Sequence, residues 1–389
     1  GAKPGAYQGA LTVSLAGGKR EIPITLEVYP FTLDEPNMPF GMYGGRGPTG
    51  GGYWPAEVRK AFRHEERIEE VLRDQKEHGM TAVTPPAPGF NGFKDGKAEF
   101  NYTEADRTMA LLRKLGFHHE CFTYASMFRV QEGADKQDFN KLERDIKLAY
   151  EELGAHMKEQ NWLPMAWALA DEPLIHGISA ETVIKIFEAH RKAAPQMQFV
   201  SEDAMGDPSH YQVIPAIDIV SGNTPRYAVA EAIRKAKRRY WFNNIGTDRV
   251  TFGWFLWKAK LEMGVEALFQ WGYSTNHGDI FYDLDGFEGD TGVSFTCSEG
   301  QRPKRAWETI RAGANDHRYL QTLANLCEQA GKTGGAAAKA QAAEARTFVS
   351  EAMQKIDLEN KRKKVFTNAE LDGLKRRLAE LIVKLQGMK

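Results

Sequence analysis

Cysteine is scarce in this chain: Cys121, Cys297 and Cys327 are the only three in 389 residues. They are too few and too widely spaced for a disulfide framework or a metal-ligand pattern, so buried or incidental thiols are expected. Long apolar runs are also missing. None approaches the ~20 residues that span a bilayer, which excludes a membrane-spanning helix as the organising element. Nor is there an excess of one charge, since 51 basic and 52 acidic residues leave a net charge of -1. A chain so balanced offers no broad cationic surface for nucleic acid. Its basic clusters, Arg234 to Arg239 and Lys361 to Lys364, lie in amphipathic helical contexts and read as solvated faces. No signal-peptide pattern opens the chain, but it starts at Gly1 rather than Met, so a trimmed start is expected. The missing signal therefore does not argue for the cytoplasm, and an extracytoplasmic location, periplasmic or secreted, is the expectation. A dinucleotide fingerprint is absent too: Gly50-Gly51-Gly52 lies in a loop, with no helix start close behind it.

What the chain has is a repeating pattern. Residues 1–33 read as strand, turn, strand: Leu11, Val13 and Leu15 alternate, Gly17-Gly18 turns, and Ile22, Ile24, Leu26 and Val28 alternate again. A lone hairpin is marginal in water, so these strands are expected to be the remnant of a β-sandwich. A linker with two prolines follows from Asp34 to Pro39. Eight short apolar strands then alternate with amphipathic helices. They are Pro39–Gly44, Thr81–Pro85, His118–Tyr124, Pro164–Ala170, Gln198–Glu202, Ile217–Ser221, Arg239–Asn244 and Ala267–Tyr273. Strand–helix alternation implies parallel strands with right-handed crossovers. Eight units in roughly 280 residues match a (β/α)8 TIM barrel over 34–320 better than an open doubly wound sheet. Residues 321–389 read as a C-terminal helical extension. Its last helix opens with the capping-box spacing Thr367-Asn368-Ala369-Glu370 and carries the stripe Leu371, Leu374, Leu378, Ile382 and Leu385. That stripe packs on a neighbouring helix or forms an oligomer.

Barrel enzymes place chemistry at the C-terminal ends of their strands. Reading those ends in turn gives Tyr43, Tyr124, Asp171-Glu172, Glu202-Asp203, Asn223, Trp241, Asn243, Asn244, Trp271 and Tyr273, with Tyr53-Trp54, His277 and Asp279 in loops. Flat aromatic faces mixed with carboxylates and amides suit a carbohydrate. Several of the aromatics could equally fill the barrel interior. The pair Asp171-Glu172 is the sharpest feature. Six apolar residues, Met165 to Ala170, precede it, and Pro173 stops the strand. Adjacent carboxylates repel, so one holds its proton more tightly, as an acid that protonates a glycosidic oxygen must. The same spacing also fits an exposed loop start that caps the next helix, and Asp34-Glu35-Pro36 repeats the tripeptide in the linker. Glu202-Asp203 reads either as a second pair or as a solvated loop. His118-His119 has no third ligand at a telling spacing, so no metal is assigned. Ser201 and Ser221 lie outside any nucleophile-elbow context.

Three stretches resemble the catalytic region of glycoside hydrolase family 123 and related glycoside-hydrolase-like barrels. They are Pro164 to Ala170 closed by Asp171-Glu172-Pro173, the run Phe269-Gln270-Trp271-Gly272-Tyr273, and Trp307 to Gly313 followed by Asn315 to Leu320. The likeness covers roughly Met38 to Leu320, and Gly289 to Ser294 keeps only part of a run typical of the family. It implies retaining, substrate-assisted hydrolysis of a 2-acetamido-2-deoxy-hexoside, β-N-acetylgalactosaminidase-like. Asp171 would hold the acetamido group, and Glu172 would be general acid and then base. Tyr43, Tyr124, Glu202, Asn223, Trp241, Asn243, Trp271 and Tyr273 are the expected substrate contacts. The implied partner is a carbohydrate, and no cofactor, metal, nucleic acid or membrane is called for. Two alternatives stand beside it: a barrel glycosidase on a sugar without the acetamido group, with Glu202 or Asp203 opposite Glu172, and a non-catalytic carbohydrate-binding protein.

Overall fold

The structure is a computed structural model that describes residues 2–43, 65–131, 133–136, 138–203, 205–273, 292–297, 300–360 and 365–388. The expectations for Gly50 to Gly52, Tyr53-Trp54, His277, Asp279 and residues 289–291 lie outside the described residues. The chain forms two units: Gly1–Glu35 with Arg318–Lys355 and Lys364–Lys389, and Pro36–His317 with Ile356–Lys363.

In the first unit, strand β1 (Gly5–Leu15) pairs antiparallel with β2 (Gly18–Val28). Strict alternation puts Tyr7, Leu11 and Leu15 on one face with Ile22, Ile24 and Leu26 of the partner strand, and all six are exposed. The two strands expected at the start of the chain form this hairpin, and no further described strand pairs with it. The division expected at residue 33 also changes, because the hairpin's exit shares a unit with the C-terminal helices. Arg318 Nη2 donates to Leu33 O at 3.0 Å, Asp34 N to Thr322 Oγ1 at 2.8 Å, and Phe31 meets Tyr319 edge-on. The helix Asn368–Gln386 keeps its capping box, in which the Thr367 side chain accepts from Glu370 N. Leu371, Leu378, Ile382 and Leu385 are buried along its stripe.

The second unit is a curled parallel sheet covered by helices. In chain order its strands are β3 (Phe40–Met42), β6 (Cys121–Tyr124), β7 (Met165–Asp171), β8 (Gln198–Asp203), β9 (Ile219–Gly222), β10 (Arg239–Asn243) and β11 (Val265–Gln270). The small antiparallel pair β4 (Gly89–Lys94) and β5 (Lys97–Asn101) is inserted after the first of these. The sheet order is β3-β11-β10-β9-β8-β7-β6. Seven strands stand where eight were expected. The eighth segment, Thr81 to Pro85, lies between the two edge strands without forming a ladder. Ala82 N donates to Phe40 O at 2.8 Å, and Phe122 N donates to Val83 O at 3.3 Å. Pro85 and Pro86 carry no N–H, so regular pairing cannot continue through them.

Inside the curled sheet, Tyr43, Ala82, Phe122, Ala166, Ala168, Val200, Ile219, Trp241, Ala267 and Phe269 pack as one cluster. These inward positions recur every second residue, as a strand demands. Residues 305–317, the first part of the helix Arg305–Thr333, belong to this unit. There Trp307 Nε1 and Tyr273 Oη both donate to Asp74 Oδ2, at 2.8 and 2.6 Å, and His78 stacks on Trp307. Burial works against both charges, yet the contact between them pulls Asp74 below its usual range and His78 above its own. Farther along the helix, Arg249 forms a buried bidentate pair with Asp316 at 2.6 and 3.0 Å. Among the described residues no helix is long and apolar enough to cross a membrane.

Candidate functional site

Continuing each strand's inward series by one step reaches the rim. Phe122 leads to Tyr124, Val200 to Glu202, Ile219 to Ser221 and Trp241 to Asn243; Trp271 follows β11 directly. On β7 the ladder to β8 shifts register between Ala168 and Ala170, so Asp171 comes to stand beside Glu202. A bulge re-aims the residues that follow it. Here it brings both carboxylates of the pair to the strand's end.

Glu202 is held more tightly than any other carboxylate of the rim. It is 2% exposed. Its Oε1 accepts from the Tyr43 hydroxyl and, at 2.9 Å, from Asn243 Nδ2, and its Oε2 accepts from the Tyr124 hydroxyl. Burial pushes its pKa up to about 7, although the donors Asn243 and Tyr43 pull the other way. Burial acts likewise on neighbouring Asp203, whose pKa rises to about 7. The Ser201 hydroxyl opposes that rise, while Glu172, Glu202 and Asp171 add to it. Both Asp203 oxygens are buried with no hydrogen bond of normal geometry.

Glu172 sits above this buried pair. Its backbone is left-handed, φ +44°, an uncommon state for a residue with a Cβ. Two contacts hold it there: its N–H donates to Glu202 O at 2.7 Å, and Asn223 Nδ2 donates to its Oε1 at 2.6 Å. His176 N closes a turn onto Glu172 O at 3.1 Å. Asp171 is exposed and Glu172 half-buried, whereas Glu202 and Asp203 are buried. Asn244, also left-handed at φ +49°, uses its side-chain oxygen to take the N–H of Trp271 at 2.8 Å. Trp271 is 47% exposed.

The structure therefore brings Tyr43, Tyr124, Asp171, Glu172, Glu202, Asn223, Asn243 and Trp271 to one rim, with a division that the sequence did not reveal. Tyr43, Tyr124 and Asn243 bind Glu202, and Asn223 binds Glu172. Two expected substrate contacts are corrected. Trp241 is fully buried one layer below the rim, tilted against Phe269 at 5.4 Å between ring centres. Its inward position two residues before Asn243 makes it core. Tyr273 is fully buried as well, and its hydroxyl is taken by Asp74. His118 and His119 each place a ring nitrogen on a backbone carbonyl, of Gly116 at 3.4 Å and Pro36 at 3.0 Å. Ser201 and Ser221 are buried and meet no histidine in any described contact. Sequence reading passed over Arg129, whose guanidinium carbon lies 4.9 Å from the centre of the Tyr124 ring. No motif marks it.

No family model matches the sequence, and no curated protein does. Solved structures similar to the chain include a psychrophilic glycoside hydrolase family 10 endo-β-1,4-xylanase, at 14% identity and TM-score 0.38, covering 71% of this chain and 96% of that one. A glycoside hydrolase family 113 β-1,4-mannanase shares 10% identity at TM-score 0.41, covering 72% of this chain and 99% of the other. A β-galactosidase from the psychrophilic Marinomonas ef1 shares 10% identity at TM-score 0.44, covering 74% and 60%. The chain itself is an α/β protein with a curled parallel sheet and an acidic, aromatic rim at the sheet's C-terminal edge.

Proposed function

We propose that the protein is a glycosidase that hydrolyses a 2-acetamido-2-deoxy-hexoside with retention, the sugar's own acetamido oxygen attacking the anomeric carbon. Glu172 protonates the leaving oxygen and then takes a proton from water, while Asp171 holds and stabilises the acetamido N–H. One observation carries this choice: the placement of the rim carboxylates. All four, Asp171, Glu172, Glu202 and Asp203, end two adjacent strands, β7 and β8. The described ends of β9, β10 and β11 present Asn223, Asn243, Asn244 and Gln270 instead. A retaining enzyme with its own nucleophile needs a second carboxylate ≈ 5–5.5 Å from the acid, across the scissile bond. The two β8 carboxylates are less open than Asp171 and Glu172: Glu202 accepts from Tyr43, Tyr124 and Asn243, and Asp203 is 1% exposed. A nucleophile supplied by the substrate removes the need for one.

The chemistry balances without a cofactor. The acetamido oxygen forms a bond to the anomeric carbon as the glycosidic C–O bond breaks, and the leaving oxygen receives the Glu172 proton. Water then attacks the cyclic intermediate, returns a proton to Glu172 and restores the acetamide. The test compares 4-nitrophenyl 2-acetamido-2-deoxy-β-galactoside and -glucoside with their 2-hydroxy counterparts. Turnover of the acetamido substrates alone is expected, with Glu172→Gln lowering kcat by about 10²–10⁴. Equal turnover of the 2-hydroxy glycosides, or a Glu172→Gln enzyme near wild-type rates, would sink the assignment.

A further inference from the structure

We infer that Arg129 makes this rim selective for a sugar bearing an anionic substituent, a carboxylate or a sulfate ester; the inference rests on the rim being the carbohydrate site proposed above. Arg129 follows β6, and the loop that carries it is fastened at both ends to β7, the strand of Asp171. Ala125 N donates to Ala168 O at 2.9 Å, and Val130 N donates to Leu169 O at 2.8 Å. Between these anchors Phe128 is left-handed, φ +53°, and packs against Phe90 at 5.8 Å between ring centres. A β-branched or bulky residue in that region is an outlier, and such strain persists only where the surroundings impose it. The loop is therefore a fixed support for Arg129.

The guanidinium stacks on the ring of Tyr124, whose hydroxyl binds Glu202. Among the described residues, two other arginines that follow strand ends are engaged elsewhere: Arg226 Nη1 donates to Glu359 O, and Arg249 pairs with Asp316. No carboxylate pairs with Arg129 among the described residues. Arg129 Nε is buried without an acceptor. A donor stripped of water and left unpaired is costly, and a bound oxyanion would remove that cost. Guanidinium meets carboxylate or sulfate oxygens through paired, charge-assisted hydrogen bonds, and its place over the Tyr124 ring holds it at the rim. At a rim that exposes Asp171 and Glu172 a bare anion meets negative charge. One placed cation is then what permits a negatively charged sugar to bind, and it fixes where on the ring the charge must lie.

Titration calorimetry of the full chain tests this with N-acetylgalactosamine, its 6-sulfate and galacturonic acid, at low and high salt. In the wild type at least one anionic sugar is expected to bind about tenfold more tightly than N-acetylgalactosamine, with a preference that shrinks as salt rises. The sulfate and carboxylate arms show which anion is read. Arg129→Gln should bring the ratio of dissociation constants toward one, and Arg129→Lys should keep part of the preference. The inference is overturned if the wild type prefers neither anionic sugar, or if Arg129→Gln retains the wild-type ratio. Binding is read without turnover. Failure to cleave any nitrophenyl glycoside would count against the proposed hydrolysis, not against the ratio.

Discussion

Replacing Glu202 by glutamine gives a sharp test of how the rim is built. The carboxyl is 2% exposed, and burial raises its pKa from the ordinary 4.5 to about 7. Between those values the folded protein holds a proton that the unfolded chain has released. Unfolding then releases a proton, so stability falls as pH rises through this window. Below the lower value the group is neutral in both states and contributes nothing. From pH 5 to pH 8 the integrated loss is about 2.5 kcal/mol, at 1.36 kcal/mol per pKa unit. Glutamine keeps the shape and does not titrate. Asp203 titrates in both proteins and nearly cancels in the difference. Glu202→Gln should therefore gain about 2.5 kcal/mol over wild type between pH 5 and pH 8. Urea denaturation followed by tryptophan fluorescence reports this directly, because all eight tryptophans lie within Pro36–His317. A stability difference that stays constant across that pH range would refute the account of Glu202 as a buried acid. Tyr43→Phe gives a second check: losing this donor should raise the Glu202 pKa further, readable by carbon NMR of the labelled carboxyl.

Other consequences are simpler. Gly313→Ala should destabilise the sheet unit by about 1–3 kcal/mol, because a Cβ there would stand 2.5 Å from Arg249 O and 2.9 Å from Phe252 Cβ; an unchanged melting temperature would count against that packing. Asp316→Ala removes the carboxylate of the buried Arg249 ion pair and should cost about 3–5 kcal/mol in the same urea assay. Trp271→Ala should raise KM for an active glycoside about tenfold through lost stacking on the exposed indole, with a smaller change in kcat. A loss confined to kcat would remove Trp271 from substrate binding.

The alternation of strand and helix was legible because each strand is buried on both sides and reads as an apolar run, Met165 to Ala170 being the clearest. Thr81 to Pro85 reads the same way, yet it makes no ladder: apolar pattern reports burial, whereas pairing depends on N–H groups that Pro85 and Pro86 lack. The hairpin was legible for its alternation, but alternation says which residues share a face and not what covers that face. The assignment of residues 1–33 as a separate unit missed the contacts of Leu33 and Asp34 with Arg318 and Thr322, which are nearly 300 residues away in sequence.

At the site, sequence position located the rim but could not assign its layers. Trp241 and Asn243 are two residues apart on one strand and point the same way, yet one is core and the other binds Glu202. The difference is one step of strand rise, about 7 Å for two residues, and composition does not reveal where the curled sheet ends. Tyr273 shows the opposite error. It follows Trp271 by two residues, but β11 stops at Gln270, so period two no longer governs and the hydroxyl turns to Asp74. The roles within Glu202-Asp203 depend on a further contact the chain cannot announce. Tyr43 and Tyr124, read separately as sugar platforms, spend their hydroxyls on one carboxylate. That shared use buries Glu202 under three donors, whereas Asp171 stays exposed and Glu172 half-buried.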